Sequence, residues 1–158
     1  MNHRIFIFSQ YFFQRLGCPR HQFQRNFKKF VDPFDFQNYL AVAGDKCAVL
    51  IGCDEVMLPA LSVGAKGVVS GPAGAFPEVY VDIFQAFKNG NRDEACRYQE
   101  LGYKLAVLLT ENASIARFKT TIGFRGIDVG NVRTPLRELT PEEVQELKQT
   151  LKEMGLLK

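Results

Sequence analysis

The sequence predicts an α/β fold in which two short parallel strands precede a series of helices. Two apolar runs, Ala48–Ile51 and Gly67–Ser70, are each followed by a polar or glycine-rich corner. The residues between them, Glu55–Val63, are enough for about two helical turns. A strand, a helix and a second strand in this order form a parallel pair with the helix as the crossover. We therefore expect any ligand site at the carboxyl ends of the strands, where parallel α/β proteins bind ligands.

The composition is that of a globular protein with an uneven distribution of charge. The 158 residues are enough for one domain with a core. No apolar run approaches the ~20 residues that span a bilayer, so we expect no membrane partner. Residues 1–31 contain six basic residues and no acidic one, whereas all seventeen acidic residues come later. This break predicts two parts, an irregular basic and aromatic segment over residues 1–31 and a folded region over residues 32–158.

The first segment admits three interpretations. It is arginine-rich and acid-poor like a mitochondrial transit peptide, but Ser9 is its only serine. A basic, aromatic nucleic-acid surface is the second interpretation, but no RNP-like or helix-turn-helix pattern accompanies it. We favour the third, an irregular segment of the kind that a displaced reading frame would produce, and expect no nucleic-acid partner.

The cysteines and glycines give no sign of a metal or a cofactor. Cys18, Cys47, Cys53 and Cys96 show no CxxC or CxH spacing, so we expect no metal site and a reduced, cytoplasmic setting. The glycine-rich run 71–74 lacks the Gly-Lys-Ser/Thr ending of a phosphate loop. We therefore predict that the chain uses no cofactor.

Local start and stop signals predict five helices around the strand pair. Phe34–Gly44 precedes the strands, with Phe36 and Leu40 on its apolar face. A second helix begins at Pro77 and ends at Asn89-Gly90, with its apolar face formed by Val79, Tyr80, Ile83, Phe84 and Phe87.

The remaining three helices follow the same logic. Asn91 is expected to cap a helix that runs to about Thr110, with Glu94 reaching back as in a capping box. Another helix begins at Ser114, and residues 127–139 form a connection. Thr140-Pro141-Glu142-Glu143 is the clearest capping box in the chain, and it predicts the start of the last helix.

Four landmarks of the chain occur together in one known family. They are the strand that ends in Gly-x-Asp at Val49–Asp54, the run Leu61–Ser70, which is like "LxLGAKGVIS", the proline-started helix closing at Lys88–Gly90, and Val132–Leu139, which is like "VRxPLxxL". In this order they make the span Phe36–Leu157 resemble the C-terminal part of the dihydrodipicolinate synthase / N-acetylneuraminate lyase family.

The resemblance implies a partial (β/α)8, or TIM, barrel with a C-terminal helical extension. The two predicted strands would be the seventh and eighth of the barrel. Strands one to six, and the threonine pair and the tyrosine of the family's active site, have no counterpart here. We therefore expect a truncated or frame-disrupted member of the family.

The resemblance also implies a chemistry. Family members are class I aldolase-like lyases whose lysine forms a Schiff base with pyruvate or another 2-oxo acid, and the protonated imine acts as an electron sink. The usual place of that lysine falls near Lys28, the one candidate here. Its neighbours in Asn26–Phe30 lack the strand pattern, so a solvated lysine is the favoured interpretation.

The substrate-binding residues implied by the resemblance are Gly52, Val69 and Ser70. They match family positions whose backbone borders the 2-oxo acid pocket, and a glycine there lets a substrate approach the chain. A tight turn between strand and helix explains the same residues without a ligand. Asp54 is expected to cap the helix that follows it, and Arg133 to pin the connection to the body of the domain.

These features lead to one preferred function and one alternative. We expect a Schiff-base lyase of 2-oxo acids that is inactive as this chain alone, because barrel enzymes build their site from several strands. The alternative is a non-catalytic interaction module that binds another chain through its helices or its open strand edges. Both allow self-association into a homo-oligomer.

Overall fold

The computed structural model describes residues 33–43, 48–111 and 114–158. The predicted segment of residues 1–31, with Lys28, lies outside these residues. The described part is mainly helical: α1 (Pro33–Ala43), α2 (Met57–Ser62), α3 (Pro77–Lys88), α4 (Arg92–Thr110), α5 (Ser114–Phe124) and α6 (Pro141–Glu153). None of these helices combines the length and the apolarity needed to cross a membrane.

The two predicted strands are reduced to a minimal parallel ladder. Ile51 and Val68 form a single bridge, and its direction is parallel, as the strand–helix–strand order predicts. No regular strand forms within the described ranges, so the predicted α/β sheet and partial barrel are not present there as a sheet. The physical reason is the shortness of the two segments, because a pair this short makes too few hydrogen bonds to extend.

The crossover helix starts later than its sequence suggests. A 3-10 turn over Asp54–Val56 comes first, and α2 follows from Met57 to Ser62. Pro59 lies in the first turn of α2, where its missing N–H group costs no hydrogen bond. The expected cap by the Asp54 side chain is wrong, since no side-chain hydrogen bond caps either the 3-10 turn or α2.

The core lies mainly where α2, α3 and α4 meet. Helix α3 begins at Pro77 and ends before Gly90, which has a φ of 73°, as predicted. The apolar face of α3 is confirmed except at Phe87, which is 36% exposed. Ala86 is buried in its place, because the smaller side chain lies on the side of α3 that faces the protein.

The two predicted caps differ in outcome. Thr140 forms a complete capping box: its side chain accepts from the Glu143 N–H, and the Glu143 carboxylate accepts from the Thr140 N–H at 2.8 Å. Asn91 accepts from the Glu94 N–H at 3.3 Å, but its own N–H donates to the Ala86 carbonyl. The Glu94 carboxylate therefore accepts from the Asn91 side-chain amide, and that half of the predicted box is wrong.

Lys119, and not Arg133, forms hydrogen bonds that attach the connection over residues 127–139 to the rest of the domain. Lys119 on α5 donates from Nζ to the carbonyls of Val129, Gly130 and Asn131, at 2.7, 3.4 and 3.1 Å. Arg133 is exposed and its side chain pairs with no residue in the described ranges, so its expected pinning role is wrong.

Arg125, at the end of α5, pins the body of the domain instead. It donates to the Ala75 carbonyl, lies 2.8 Å from the Glu78 carboxylate and stands 5.0 Å from the centroid of the Phe76 ring. Sequence patterns do not distinguish the two arginines, because the partners of Arg125 lie about fifty residues upstream.

Candidate functional site

The site is built where the two extended segments end side by side. Three backbone hydrogen bonds set the register: Lys66 N–H to the Val49 carbonyl at 2.9 Å, Ile51 N–H to the Gly67 carbonyl at 3.0 Å, and Val69 N–H to the Ile51 carbonyl at 2.8 Å. This parallel register places the corner that follows Ile51 beside the corner that follows Val69. Polar side chains from both corners therefore share one edge.

Asp54 provides the buried charge of this edge. Asp54 is only 7% exposed, and its Oδ1 atom has no hydrogen-bond partner among the described residues. The pKa of this carboxyl is raised to about 6, mainly by burial; a hydrogen bond with Ser70 lowers it, and the nearby Glu55 charge raises it. A carboxyl of this kind can exchange a proton near neutral pH or accept a hydrogen bond from a ligand.

Ser70 connects Asp54 to the neighbouring helix. Its Oγ accepts from the Ala73 N–H at 2.9 Å, and its own proton is available to Asp54 or to Tyr80. Tyr80 on α3 is buried and donates its hydroxyl proton to the Gly102 carbonyl at 3.1 Å. Burial, and then the Asp54 charge, raise the pKa of Tyr80, so its phenol stays protonated.

Gln99 on α4 forms hydrogen bonds with the backbone of the first corner, the one that follows Ile51. Its Nε2 donates to the Asp54 carbonyl at 3.0 Å, and its Oε1 accepts from the Leu58 N–H at 2.7 Å. Leu58 lies in the first turn of α2, where backbone N–H groups have no partner within the helix. One side-chain amide thus fixes both the 3-10 turn and the start of α2.

Cys53 is not a nucleophile in this arrangement. Its thiol donates to the Glu55 carboxylate at 2.9 Å, and burial raises the pKa of the thiol to about 11, with the hydrogen bond to Glu55 as the second cause. The thiolate is the reactive form, so the thiol at this position is inert at neutral pH. Cys53 is half-buried and packs against the core.

The residues implied as substrate-binding lie at the shared edge. Gly52 is exposed, and a Cβ built on it would meet no atom within 4 Å among the described residues, whereas Val69 and Ser70 are half-buried. Lys66 comes before the second segment, at the opposite end of the ladder. The structure thus brings Gly52, Val69 and Ser70 together and leaves Lys66 apart from them.

The glycine-rich run after Ser70 has a packing role at its first residue. A Cβ at Gly71 would lie 3.1 Å from Cζ of Phe118 on α5, so the ring can approach only because the side chain is missing. Pro72–Gly74 then forms a 3-10 turn.

As for metals, no group of three His, Cys, Asp or Glu residues suited to an ion occurs in the part of the chain that the structure describes.

Sequence reasoning missed two polar residues of the site. Tyr80 was assigned to the apolar face of its helix, and it does lie there, but its hydroxyl reaches the polar cluster. Gln99 was not singled out at all. In the sequence it appears as a glutamine among apolar positions of α4. The backbone atoms that it binds, on Asp54 and Leu58, lie more than forty residues away in sequence.

Comparison with protein families gives one match over most of the chain. The model of the dihydrodipicolinate synthetase family matches residues 26–154. A 4-hydroxy-tetrahydrodipicolinate synthase of Methanosphaera stadtmanae is 36% identical over 113 residues, which is 72% of this chain and 38% of the relative. An uncharacterized DapA-like lyase of Halobacterium salinarum is 35% identical over 108 residues, 68% of this chain and 36% of the relative.

Solved structures agree with this match. Dihydrodipicolinate synthase DapA-2 of Bacillus anthracis superimposes with a TM-score of 0.72 at 31% identity, over 77% of this chain and 41% of that one. The sialic acid aldolase of Ruminococcus gnavus gives a TM-score of 0.71 at 25% identity, over 80% and 44%. The chain therefore spans less than half the length of the relatives that it matches.

Proposed function

Because the chain belongs to the dihydrodipicolinate synthetase family, we propose that it provides one wall of the substrate site of a Schiff-base lyase acting on pyruvate or a related 2-oxo acid. The observation that supports this most directly is the parallel register of Ile51 and Val68, which brings Gly52, Val69 and Ser70 to one edge. In this proposal the two extended segments are the last two strands of a (β/α)8 barrel, and residues 32–158 form that part of the domain.

Each side chain of the edge has a distinct role in this proposal. The open space over Gly52 lets a carboxylate or carbonyl of the substrate approach the backbone. Ser70 offers a hydroxyl, and the buried Asp54 carboxyl forms a hydrogen bond with this hydroxyl and so orients it. Tyr80 keeps Ser70 and Asp54 in a hydrogen-bonded cluster whose far end is the Gly102 carbonyl.

Binding is tested by NMR on the full 158-residue chain. Added pyruvate is expected to shift the amide signals of Gly52, Val69 and Ser70 in a saturable way, while acetate, which lacks the 2-oxo group, shifts them less. Gly52→Val should abolish the pyruvate shifts without unfolding the chain, because the added side chain projects into space that is open in the structure. Unshifted signals at all three residues would contradict the proposed substrate wall.

We propose that the chain alone does not complete the chemistry. Two of the described lysines are unsuited to a Schiff base at this edge, since Lys66 lies at the far end of the ladder and Lys119 is bound to three carbonyls. Lys28 remains the one candidate. Borohydride trapping with labelled pyruvate is expected to give no adduct, whereas an adduct that disappears in Lys28→Arg would overturn the inactivity and identify the nucleophile.

A second function, an interaction module, is favoured by a different observation. The backbone N–H and C=O groups of Leu50 and Val68 face the outer edges of the two-segment ladder, and they make no hydrogen bond within the described ranges. Apolar side chains are also exposed on α4, where Tyr103 is 50% and Val107 37% exposed. These surfaces are suited to self-association or to pairing with another chain, and a protease-resistant monomer in gel filtration would count against them.

The cellular setting follows from the thiols. Both described cysteines, Cys53 and Cys96, are free, and Cys96 is exposed. A free exposed thiol is compatible with a reducing compartment, so we propose a cytoplasmic location. Titration of accessible thiols in freshly lysed cells, which should find Cys96 reduced, tests it.

A further inference from the structure

Gln99 occupies an unusual position for a polar side chain of a long helix. It lies on α4, yet both ends of its amide bond to backbone atoms of the corner that carries Asp54. The donor is used on the Asp54 carbonyl at 3.0 Å and the acceptor on the Leu58 N–H at 2.7 Å. No other side chain in the described ranges makes hydrogen bonds to the backbone on both sides of this turn.

The corner needs such a support because its own residues do not supply one. The 3-10 turn Asp54–Val56 and helix α2 both lack a side-chain cap. Without Gln99, the Leu58 N–H would be one of the unpaired donors of the first turn, in a half-buried position. The Asp54 carbonyl and the Leu58 N–H, four residues apart, are thus joined by one side chain of α4.

We propose that Gln99 is a positioning residue of the candidate site: its side-chain amide clamps the backbone at Asp54 and Leu58 and so holds the Asp54 carboxyl at the carboxyl ends of the two extended segments. The inference rests on the proposed function for its meaning, because the clamp matters to catalysis only if that edge binds substrate. The clamp itself is a property of the fold. It acts on the substrate through Asp54 and does not touch it.

The first test removes the clamp and follows Asp54. Gln99→Met keeps the length of the side chain and loses both hydrogen bonds, so water should reach the Asp54 carboxyl. In a ¹³C NMR titration of the full chain, the Asp54 midpoint is expected to fall from about 6 toward its ordinary value of 3.8. The groups that face Asp54 are Glu55, Ser70 and Tyr80, and Glu55 must be followed in the same titration because its charge contributes to the midpoint.

Two controls separate positioning from general loss of stability. Gln145→Met changes an exposed glutamine of α6 that has no contact with the corner, and Leu147→Val loosens the core on the same helix. Neither should move the Asp54 midpoint. A folded Gln99→Met protein with an unchanged midpoint would overturn the proposal, as would Leu147→Val shifting the midpoint by an equal amount.

A second variant keeps the proposal testable if Gln99→Met does not fold. Gln99→Glu retains an oxygen that can accept from the Leu58 N–H but cannot donate to the Asp54 carbonyl. Hydrogen exchange of the Leu58 amide is expected to stay as slow as in the unmodified chain, and fast exchange would overturn the clamp. The Asp54 titration and the Leu58 exchange are both measured without a 2-oxo acid. They can therefore support the clamp even if pyruvate shifts no signals, and pyruvate can shift the signals even if the clamp is overturned.

Discussion

The Tyr80 hydroxyl donates to the Gly102 carbonyl at 3.1 Å, and this bond joins α3 to α4. A Cβ at Gly102 would lie 3.2 Å from Cδ1 of Ile83 and 3.5 Å from Cε1 of Tyr80. Gly102 is therefore required by packing, even though a glycine inside a helix costs about 1 kcal/mol relative to alanine. The same contact holds Tyr80 beside Ser70, so helix packing and site geometry are coupled here.

Gly102→Ala is expected to destabilise the protein by about 1 kcal/mol despite its better helix propensity. Ile83 is fully buried, so its Cδ1 cannot move aside without displacing other core atoms. Urea unfolding of the single variant measures the effect.

The double variant Gly102→Ala/Ile83→Val supplies the internal control. Removing Cδ1 makes room for the new methyl group, so the two changes should not add, with a coupling of about 1 kcal/mol in favour of the pair. Strictly additive losses would show that crowding against Ile83 is not the cause.

Asp54→Asn is expected to stabilise the fold at pH 7 by roughly 1–3 kcal/mol and to have little effect in acid. Burial raises the pKa of Asp54 from 3.8 to about 6, so the folded state holds its proton more tightly than the unfolded state. The unmodified chain is thus most stable, with respect to this group, below pH 3.8, and loses that stability as the pH rises to about 6. Urea unfolding at several pH values gives the curve.

The neighbouring carboxyl offers a comparison for this result. Glu55→Gln removes a charge that raises the pKa of Asp54, and it leaves Asp54 itself in place. Its unfolding free energy should still fall between acid and neutral pH, with a midpoint slightly lower than that of the unmodified chain. A pH-independent difference between Asp54→Asn and the unmodified chain would show that the Asp54 carboxyl is not desolvated.

Thr140→Ala is expected to cost about 1 kcal/mol by removing one half of the capping box. Thr150→Ala on the same helix is the matched control, because its hydroxyl only returns to the Glu146 carbonyl and alanine is the better helix former. Thermal unfolding of the two variants should rank Thr140→Ala clearly below Thr150→Ala, and equal values would argue against the cap.

The capping box should also depend on pH through Glu143. Its pKa is lowered to about 2, first by the hydrogen bonds from Arg137 and then by the Thr140 N–H. A lowered pKa means that Glu143 stabilises the fold above its ordinary value of 4.5 and ceases to do so as the pH falls to about 2. The difference between Arg137→Met and the unmodified chain should therefore shrink in strong acid, and a constant difference would contradict the pairing.

Arg125→Met is expected to cost about 1–2 kcal/mol, since it loses a backbone hydrogen bond, an ion pair with Glu78 and a cation–π contact with Phe76. Arg133→Met is the control, because the Arg133 side chain is exposed and pairs with no described residue. Equal unfolding free energies for the two variants would show that the contacts of Arg125 contribute nothing.

Local rules predicted the helices of this chain well. The proline starts of α3 and α6, the Thr140 capping box and the glycine after α3 depend on residues within one or two turns of each other. Such short-range signals are visible in the sequence, because capping satisfies backbone groups close to the capping residue. The parallel direction of the two extended segments was also predictable, since only a crossover helix joins them.

Long-range polar contacts could not be predicted in the same way. Gln99, Tyr80 and Arg125 act on backbone atoms that lie 22 to 50 residues away in sequence. Asp54 was assigned to a cap because Asp before a helix usually caps it, and only the tertiary structure shows it buried instead. The resemblance to a family indicated the edge that we propose as the site, but the packing of α4 on that edge decides which side chains support it.

The three carbonyls around the Lys119 amine have a chemical consequence for the connection after α5. All three N–H groups of the ammonium have acceptors, so this amine must leave them before it can be acylated. The Lys119 amine should react more slowly with an active ester than the amine of the exposed Lys152, which makes no such hydrogen bonds with the described residues. One acyl group at Lys119 would remove the charge that binds those three carbonyls and would release residues 129–131 from this contact with α5.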